Sequence, residues 1–86
     1  MDINELIIIV KKKLQEQINI EDIKIEDKSL NHKNHAGNEE GRFHLKITLV
    51  SEELKNLNRI ESNKRVYKVL ENELKESIHS LQILIS

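Results

Sequence analysis

The sequence contains no cysteine and no tryptophan, and it has only one phenylalanine and one tyrosine. Without cysteine the chain cannot form a disulfide, attack through a thiolate, or hold an iron–sulfur cluster or zinc–thiolate site with its own residues alone. Any soft metal site must therefore take its sulfur from another molecule. Because aromatic residues are so few, we expect a core built from isoleucine, leucine and valine.

The chain also lacks a long apolar run and an excess of charge of one sign. The run Leu6–Val10 is short and is followed at once by Lys11–Lys13, which is unlike a membrane span or a signal peptide. We therefore expect a cytoplasmic protein with no membrane partner. The formal net charge is −1 with 34% charged residues, which argues against nucleic acid as the main partner.

Hydrophobic periodicity predicts the first elements of one domain that covers residues 1–86. Asp2 precedes apolar residues at helical spacing, which predicts an amphipathic helix over 3–18. Alternation of isoleucine with charged residues then predicts a short edge strand over 21–27.

The second half of the pattern adds two strands around a helical pair. Apolar residues alternate along Leu45–Leu49 and predict a strand over 43–50. Ser51 begins a capped helical segment, and the helical pattern restarts at Arg59 as a longer helix. A last alternating segment predicts a strand over 80–85. The resulting order is α-β-β-α-α-β, in the α/β (α+β) class.

The longer helix has candidate inward and outward residues. Helical spacing places four apolar side chains toward the core and leaves three lysines outside. The inward residues are Ile60, Tyr67, Leu70 and Leu74, and the lysines are Lys64, Lys68 and Lys75.

The histidines are the candidate functional residues. His32 and His35 lie in a long polar loop before the second strand, and His79 stands at the start of the third strand. The connection between these strands is long enough for a crossover, so as neighbours they would run parallel and begin at the same edge of the sheet. That topology brings His79 near the loop. An all-imidazole site could suit zinc, copper, nickel or iron.

We interpret His44 as a surface residue on the polar face of its strand.

Several separated blocks resemble the BolA-like family, a group of small α/β proteins with the type II KH-like arrangement of elements. This resemblance implies a three-stranded mixed sheet with helices packed on one face. The blocks stand in the right order and spacing across nearly the whole chain, at residues 32–37 (HKNHAG), 44–51 (HLKITLVS), 66–70 (VYKVL), 73–74 (EL) and 78–81 (IHSL).

The resemblance implies a non-enzymatic partner of monothiol glutaredoxins that acts in iron–sulfur cluster trafficking, maturation or iron regulation. In such a pair a bridging 2Fe-2S cluster takes sulfur from the glutaredoxin cysteine and glutathione, and nitrogen from the BolA-like side. His79 corresponds to one nitrogen ligand, and either His32 or His35 to the other. We expect the free chain to be a monomer or a weak homodimer. Without the partner's sulfur ligands it is expected to hold no cluster.

A second interpretation is a nucleic-acid-binding regulator that uses the helix-turn-helix-like segment 51–76. Lys64, Arg65 and Lys68 would be its phosphate contacts. The family usually carries Arg-His-Arg where residues 62–64 are Ser-Asn-Lys, and a KH-type GxxG loop is absent from the sequence. We therefore expect weak, electrostatic DNA binding. A third interpretation, a small hydrolase, fits worst because no nucleophile has a recognisable base beside it.

Overall fold

The computed structural model describes residues 2–29 and 42–86. Within these ranges the elements follow the order α1 (Ile3–Gln17), β1 (Asp22–Asp27), β2 (Phe43–Val50), α2 (Glu52–Lys55), α3 (Arg59–Val69), α4 (Glu71–Glu76) and β3 (Ile78–Ile85). The predicted order is confirmed, with the longer helix divided into α3 and α4. None of the helices in this described part is long and apolar enough to cross a membrane.

The first helix follows the predicted pattern closely. The Asp2 side chain caps it, since its Oδ1 atom accepts a hydrogen bond from the Glu5 amide at 2.8 Å. Leu6, Val10 and Leu14 are buried at four-residue spacing, which places one stripe of α1 against the core.

The sheet has β2 at its centre. The strand order is β1-β2-β3, with β1 antiparallel to β2 and β3 parallel to it. Ile47 marks the middle of the ladder, paired with Ile25 on one side and Ile83 on the other. The edge position of β1 and the parallel pairing of β2 with β3 are therefore confirmed.

The core lies on one face of this sheet, and the helices cover it. Leu45, Ile47 and Leu49 of β2 are buried there, while Lys46 and Thr48 on the opposite face are only partly buried. This alternation is what a half-covered sheet requires. The buried apolar side chains of the core are Leu6, Val10, Leu14, Ile18, Leu45, Ile47, Leu49, Leu54, Val66, Leu70 and Ile78.

The predicted inward face of the long helix is partly wrong. Leu70 is buried as expected, but Ile60 is 67% exposed and Tyr67 is 42% exposed. The inward stripe of α3 runs instead through Ser62 and Val66, which lie one helical turn apart. Ser62 tolerates burial because its hydroxyl donates to a carbonyl oxygen three residues earlier, at 3.0 Å. Ile60 and Tyr67 are therefore surface residues on the flank of α3.

The long helix also breaks at Leu70, where φ is −99° and ψ is 18°. After this break Leu74 of α4 is half-buried against the core, as predicted. Glu73 is buried, and its Oε2 atom lies 2.6 Å from the Nζ atom of Lys13. This ion pair links α4 to α1.

Candidate metal-ligand site at the histidine end of the sheet

The third strand begins two residues earlier than predicted, and a β-bulge lies at its start. Phe43 pairs with Ile78 and His44 pairs with Ser80. His79 is therefore an extra residue of β3 without a partner in β2. A bulge of this kind redirects a side chain out of the regular alternation. The His79 side chain is exposed.

The His79 ring meets a second imidazole here. The ring centroids of His44 and His79 are 5.0 Å apart, with the rings inclined at 63° in an edge-to-face contact. Neither nitrogen of the His79 ring is hydrogen-bonded to another residue of the described chain. Either nitrogen of a neutral imidazole can bind a metal. We call His44, His79 and Ser80 the histidine end of the sheet.

The expectation that His44 is a surface residue is wrong. Its side chain does lie on the face of Lys46 and Thr48, but the residue is only 6% exposed. Its Nδ1 atom lies 2.6 Å from the Ser80 Oγ atom. The His44 ring thus contacts His79 and Ser80 at the start of β3, and period-two alternation in the sequence does not reveal these contacts. Two histidines at the starts of neighbouring parallel strands were the signal that could have indicated this contact.

The residues that flank segment 30–41 are anchored at the histidine end. On one side the Ser29 Oγ atom accepts a hydrogen bond from the His44 amide at 3.1 Å. On the other side the Phe43 amide donates to the Ser77 carbonyl oxygen at 2.8 Å. His32 and His35 lie outside the described residues, so their approach to His79 stays a prediction.

Among the described residues, His79 offers two ring nitrogens without hydrogen bonds at this end. Residues 2–29 and 42–86 contain no group of three side chains that could hold a metal ion. The Nδ1 atom of His44 is engaged with Ser80, whereas both nitrogens of His79 are open. His79 is therefore the residue of this end best placed to coordinate a metal.

Charged residues of β1 and β2 lie on the open face beside the histidine end. Glu26 is opposite Lys46 in the ladder, and its Oε1 atom is 3.4 Å from the Lys28 Nζ atom. Partial desolvation raises the pKa of Glu26, while the hydrogen bond from Lys28 lowers it. The positive charges of Lys24 and Lys46 lower this pKa further, so that it lies below its usual value. The carboxylate stays ionised and offsets the lysine charges.

The three candidate phosphate contacts do not line one cavity. Lys64 lines a groove between α3 and β3, whereas Arg65 and Lys68 line a cleft between α1 and α3. The Arg65 guanidinium also donates to the Glu53 carboxylate at 2.6 Å. A ligand in the groove therefore meets Lys64 without the other two cations.

The neighbouring side chains Ser62 and Asn63 are turned toward their own helix. The Asn63 side-chain amide donates to the Arg59 carbonyl oxygen at 2.7 Å, and Ser62 is buried as described above. Asn63 lines the groove between α3 and β3, but its side chain carries no positive charge for a phosphate. Because Ser62 and Asn63 stand where the family usually has basic residues, this chain lacks the phosphate contacts that those residues would make.

Comparison with known proteins shows the family. Residues 14–86 match the family model described as "BolA-like protein". A similar protein is the DNA-binding transcriptional regulator BolA of Haemophilus influenzae, 32% identical over 75 residues, which are 87% of this chain and 70% of that protein. Another is the SufE-like protein 1, chloroplastic/mitochondrial, of Arabidopsis thaliana, 25% identical over 80 residues. That match covers 87% of this chain and 22% of the plant protein.

Among solved structures, the fold is similar to that of the BolA domain of SufE1 from Arabidopsis thaliana. The TM-score is 0.78 at 22% identity, covering 100% of this chain and 93% of that one. The predicted α+β fold and the resemblance drawn from the loop, strand and helix blocks are both confirmed. The chain belongs to the BolA-like protein family.

Proposed function

We propose that this chain is a non-enzymatic cytoplasmic adaptor that pairs with a monothiol glutaredoxin and shares a bridging 2Fe-2S cluster with it. The observation that carries the proposal is the exposed imidazole of His79, with both nitrogens open within the described chain, beside the buried ring of His44. The family resemblance implies the same partner. Iron–sulfur trafficking, maturation or iron regulation would be the role of the pair.

The ligand set follows from what the chain has and lacks. His79 supplies one nitrogen, and either His32 or His35 supplies the second. The sequence has no cysteine, so the sulfur ligands come from the glutaredoxin cysteine and from glutathione. Histidine in place of thiolate raises the reduction potential of a 2Fe-2S centre, which fits a cluster that is passed on or sensed rather than stored.

His44 has a positioning role in this proposal. Its ring contacts the His79 ring, and its Nδ1 atom is held by Ser80. A ligand whose orientation is fixed by neighbouring groups loses less freedom when it binds a metal. We infer that His44 limits the rotation of His79 and does not itself coordinate.

The test is to titrate the full chain into a monothiol glutaredoxin that carries a glutathione-ligated 2Fe-2S cluster. Visible circular dichroism should change with each addition and saturate at one chain per glutaredoxin subunit. Size-exclusion chromatography with iron analysis should place the iron in a heterodimer. A spectrum that remains that of the glutaredoxin alone at excess chain would exclude the proposal.

A second candidate function is nucleic-acid binding through the segment 51–76. It is favoured by the relative described as a DNA-binding transcriptional regulator, and by the exposed cations Lys64 and Lys68. The net charge of −1 and the engagement of Arg65 by Glu53 weaken it, because phosphate binding depends on free positive charge.

Fluorescence anisotropy with duplex DNA at physiological salt separates the two candidates. We expect weak binding that falls steeply as salt is added and that does not depend on sequence. Sub-micromolar, sequence-selective binding would instead favour the regulator.

A further inference from the structure

Among residues 2–29 and 42–86, no strand pairs with the outer edge of β3. β3 is the last strand in the order β1-β2-β3. Ser86 donates its amide to the Leu49 carbonyl and accepts from the Ser51 amide. Backbone groups of a strand point alternately to its two sides. Leu81, Ile83 and Ile85 therefore direct their backbone amides and carbonyls away from β2, toward the open edge.

This edge lacks the charged residues that discourage β1 from pairing with another chain. An exposed strand edge is usually short or charged, which prevents pairing with another chain. β1 has six residues, of which Asp22, Lys24, Glu26 and Asp27 are charged. β3 has eight residues and contains no aspartate, glutamate, lysine or arginine. Its outer edge is therefore able to accept another strand.

An apolar groove runs along the same edge. Its volume is about 560 Å³, and it lies between α3 and residues 81–84 of β3. Ile60, Tyr67 and Leu84 line it and are 67%, 42% and 44% exposed. Large apolar side chains that cluster on a surface mark a binding site more often than scattered ones do.

The charge of the groove points to an acidic partner. Arg59 and Lys64 line it, and no acidic side chain of the described part of the chain does. Neither cation forms an ion pair within the described chain. A second copy of this chain that paired through its own β3 edge would bring like charges together. A segment with carboxylates would instead complement them.

The open backbone groups favour a peptide over a nucleic acid. Single-stranded nucleic acids bind through stacking on aromatic side chains and through a track of positive charge. This groove offers one aromatic ring, Tyr67, and two cations, while Ile60 and Leu84 are aliphatic. A strand of protein would use the backbone edge and the aliphatic side chains together.

We propose that the groove between α3 and the outer edge of β3 binds an extended, acidic and apolar segment of a partner protein as a fourth strand of the sheet. The segment exchanges backbone hydrogen bonds with Leu81 and Ile83. Its apolar side chains cover Ile60 and Tyr67. Its carboxylates lie beside Arg59 and Lys64. This site is distinct from the histidine end and does not depend on the proposed cluster.

The test begins with a displayed library of random eight-residue peptides, the length of β3, selected on the full chain. Enriched peptides should alternate aliphatic with other residues and should carry aspartate or glutamate. Synthetic copies should then slow the solvent exchange of the Leu81, Ile83 and Ile85 amides, measured by NMR. A copy with proline at its centre should not bind, since it lacks a ladder donor.

Two variants locate the site on the surface. Lys64→Glu should weaken binding roughly fivefold, because one exposed attraction becomes a repulsion, and Ile60→Asp should abolish it. Lys12→Glu, an exposed lysine on α1, is the matched control and should bind as the wild type does. Because Ile60 and Lys64 are exposed, both variants are expected to fold, which circular dichroism checks.

Three results would overturn the proposal. The first is a selection without enrichment, or enriched peptides that bind Ile60→Asp as well as wild type. The second is a single-stranded oligonucleotide that competes for the groove with higher affinity than every selected peptide. The third is protection of the same β3 amides by self-association as the chain is concentrated, which would assign the edge to a second copy.

Discussion

The third strand carries two surfaces of opposite character. At the histidine end, His44 is 6% exposed and is hydrogen-bonded to Ser80, so the polar groups around His79 are largely fixed. Along residues 81–85 the outer edge has open backbone groups and lies beside exposed apolar side chains of α3. In our proposals the first surface orients a ligand atom, and the second accepts a strand of another chain.

The β-bulge makes this division. His79 stands outside the ladder with β2, and regular pairing resumes at Ser80. The side chain of His79 can therefore be changed without shifting the register of Leu81 and the residues after it. We therefore expect substitutions on this one strand to separate ligand binding from partner docking.

The largest expected effect is that of His79→Ala on cluster sharing. Loss of a residue that only supports a metal ligand costs about 10–100-fold in affinity, so loss of the ligand itself should cost at least about a hundredfold. Titration against cluster-loaded glutaredoxin, followed by visible circular dichroism, measures the effect. Lys12→Ala, at an exposed residue of α1 outside both surfaces, is the control. If His79→Ala also lost peptide binding at the outer edge, the histidine end and the docking groove would not be independent sites.

Val66→Ala should impair both surfaces together. Val66 is a fully buried residue of α3 that faces the core. Replacing it with alanine leaves a cavity, which should lower the free energy of unfolding by about 2 kcal/mol. Urea denaturation measures this loss. Cluster sharing and peptide binding should decline only in proportion to the unfolded fraction. A selective loss of cluster sharing or of peptide binding would show that the two surfaces do not depend equally on the core.

His44→Ala should weaken cluster sharing about tenfold, an outer-shell effect. The His79 ring loses its edge contact, while the nitrogen ligand remains. Ser80→Ala keeps the His44 ring but removes the partner of its Nδ1 atom, and it should therefore have a smaller effect in the same direction. An effect of His44→Ala as large as that of His79→Ala would make His44 a ligand rather than a positioning residue.

Ile60→Ser should have the smallest effect on the fold. Because Ile60 is 67% exposed, the free energy of unfolding should change by no more than about 0.5 kcal/mol. Thermal and urea denaturation of Ile60→Ser and Val66→Ala, measured side by side, compare a substitution at an exposed residue with one at a buried residue. A loss of more than about 1 kcal/mol would place Ile60 in the core, as the sequence pattern predicted, and would remove it from the docking surface.

Much of the fold could be predicted because one period dominates each element. The second strand was predicted over 43–50 and is β2, Phe43–Val50. Its parallel pairing with β3 followed from the long connection between them. The face of α3 was predicted wrongly because Ile60 and Tyr67 form one apolar stripe and Val66 and Leu70 form another. Only packing against the sheet decides between the two stripes.

The candidate site was predicted in part. The sequence placed His79 at the start of β3, but it gave no sign of the bulge or of the burial of His44. Both depend on the register between two strands that are distant in sequence. The open groove beside β3 was also missed, since Ile60 and Tyr67 were assigned to the core and Lys64 to a nucleic-acid surface.

The central claim is that a histidine nitrogen of this chain binds the shared cluster. Pulsed electron paramagnetic resonance of the one-electron-reduced complex tests it most directly, with this chain labelled with ¹⁵N at histidine and the glutaredoxin unlabelled. We expect hyperfine coupling from ¹⁵N to the cluster, and a weaker or absent coupling in the complex of His79→Ala. A spectrum that is identical with labelled and unlabelled chain would contradict it.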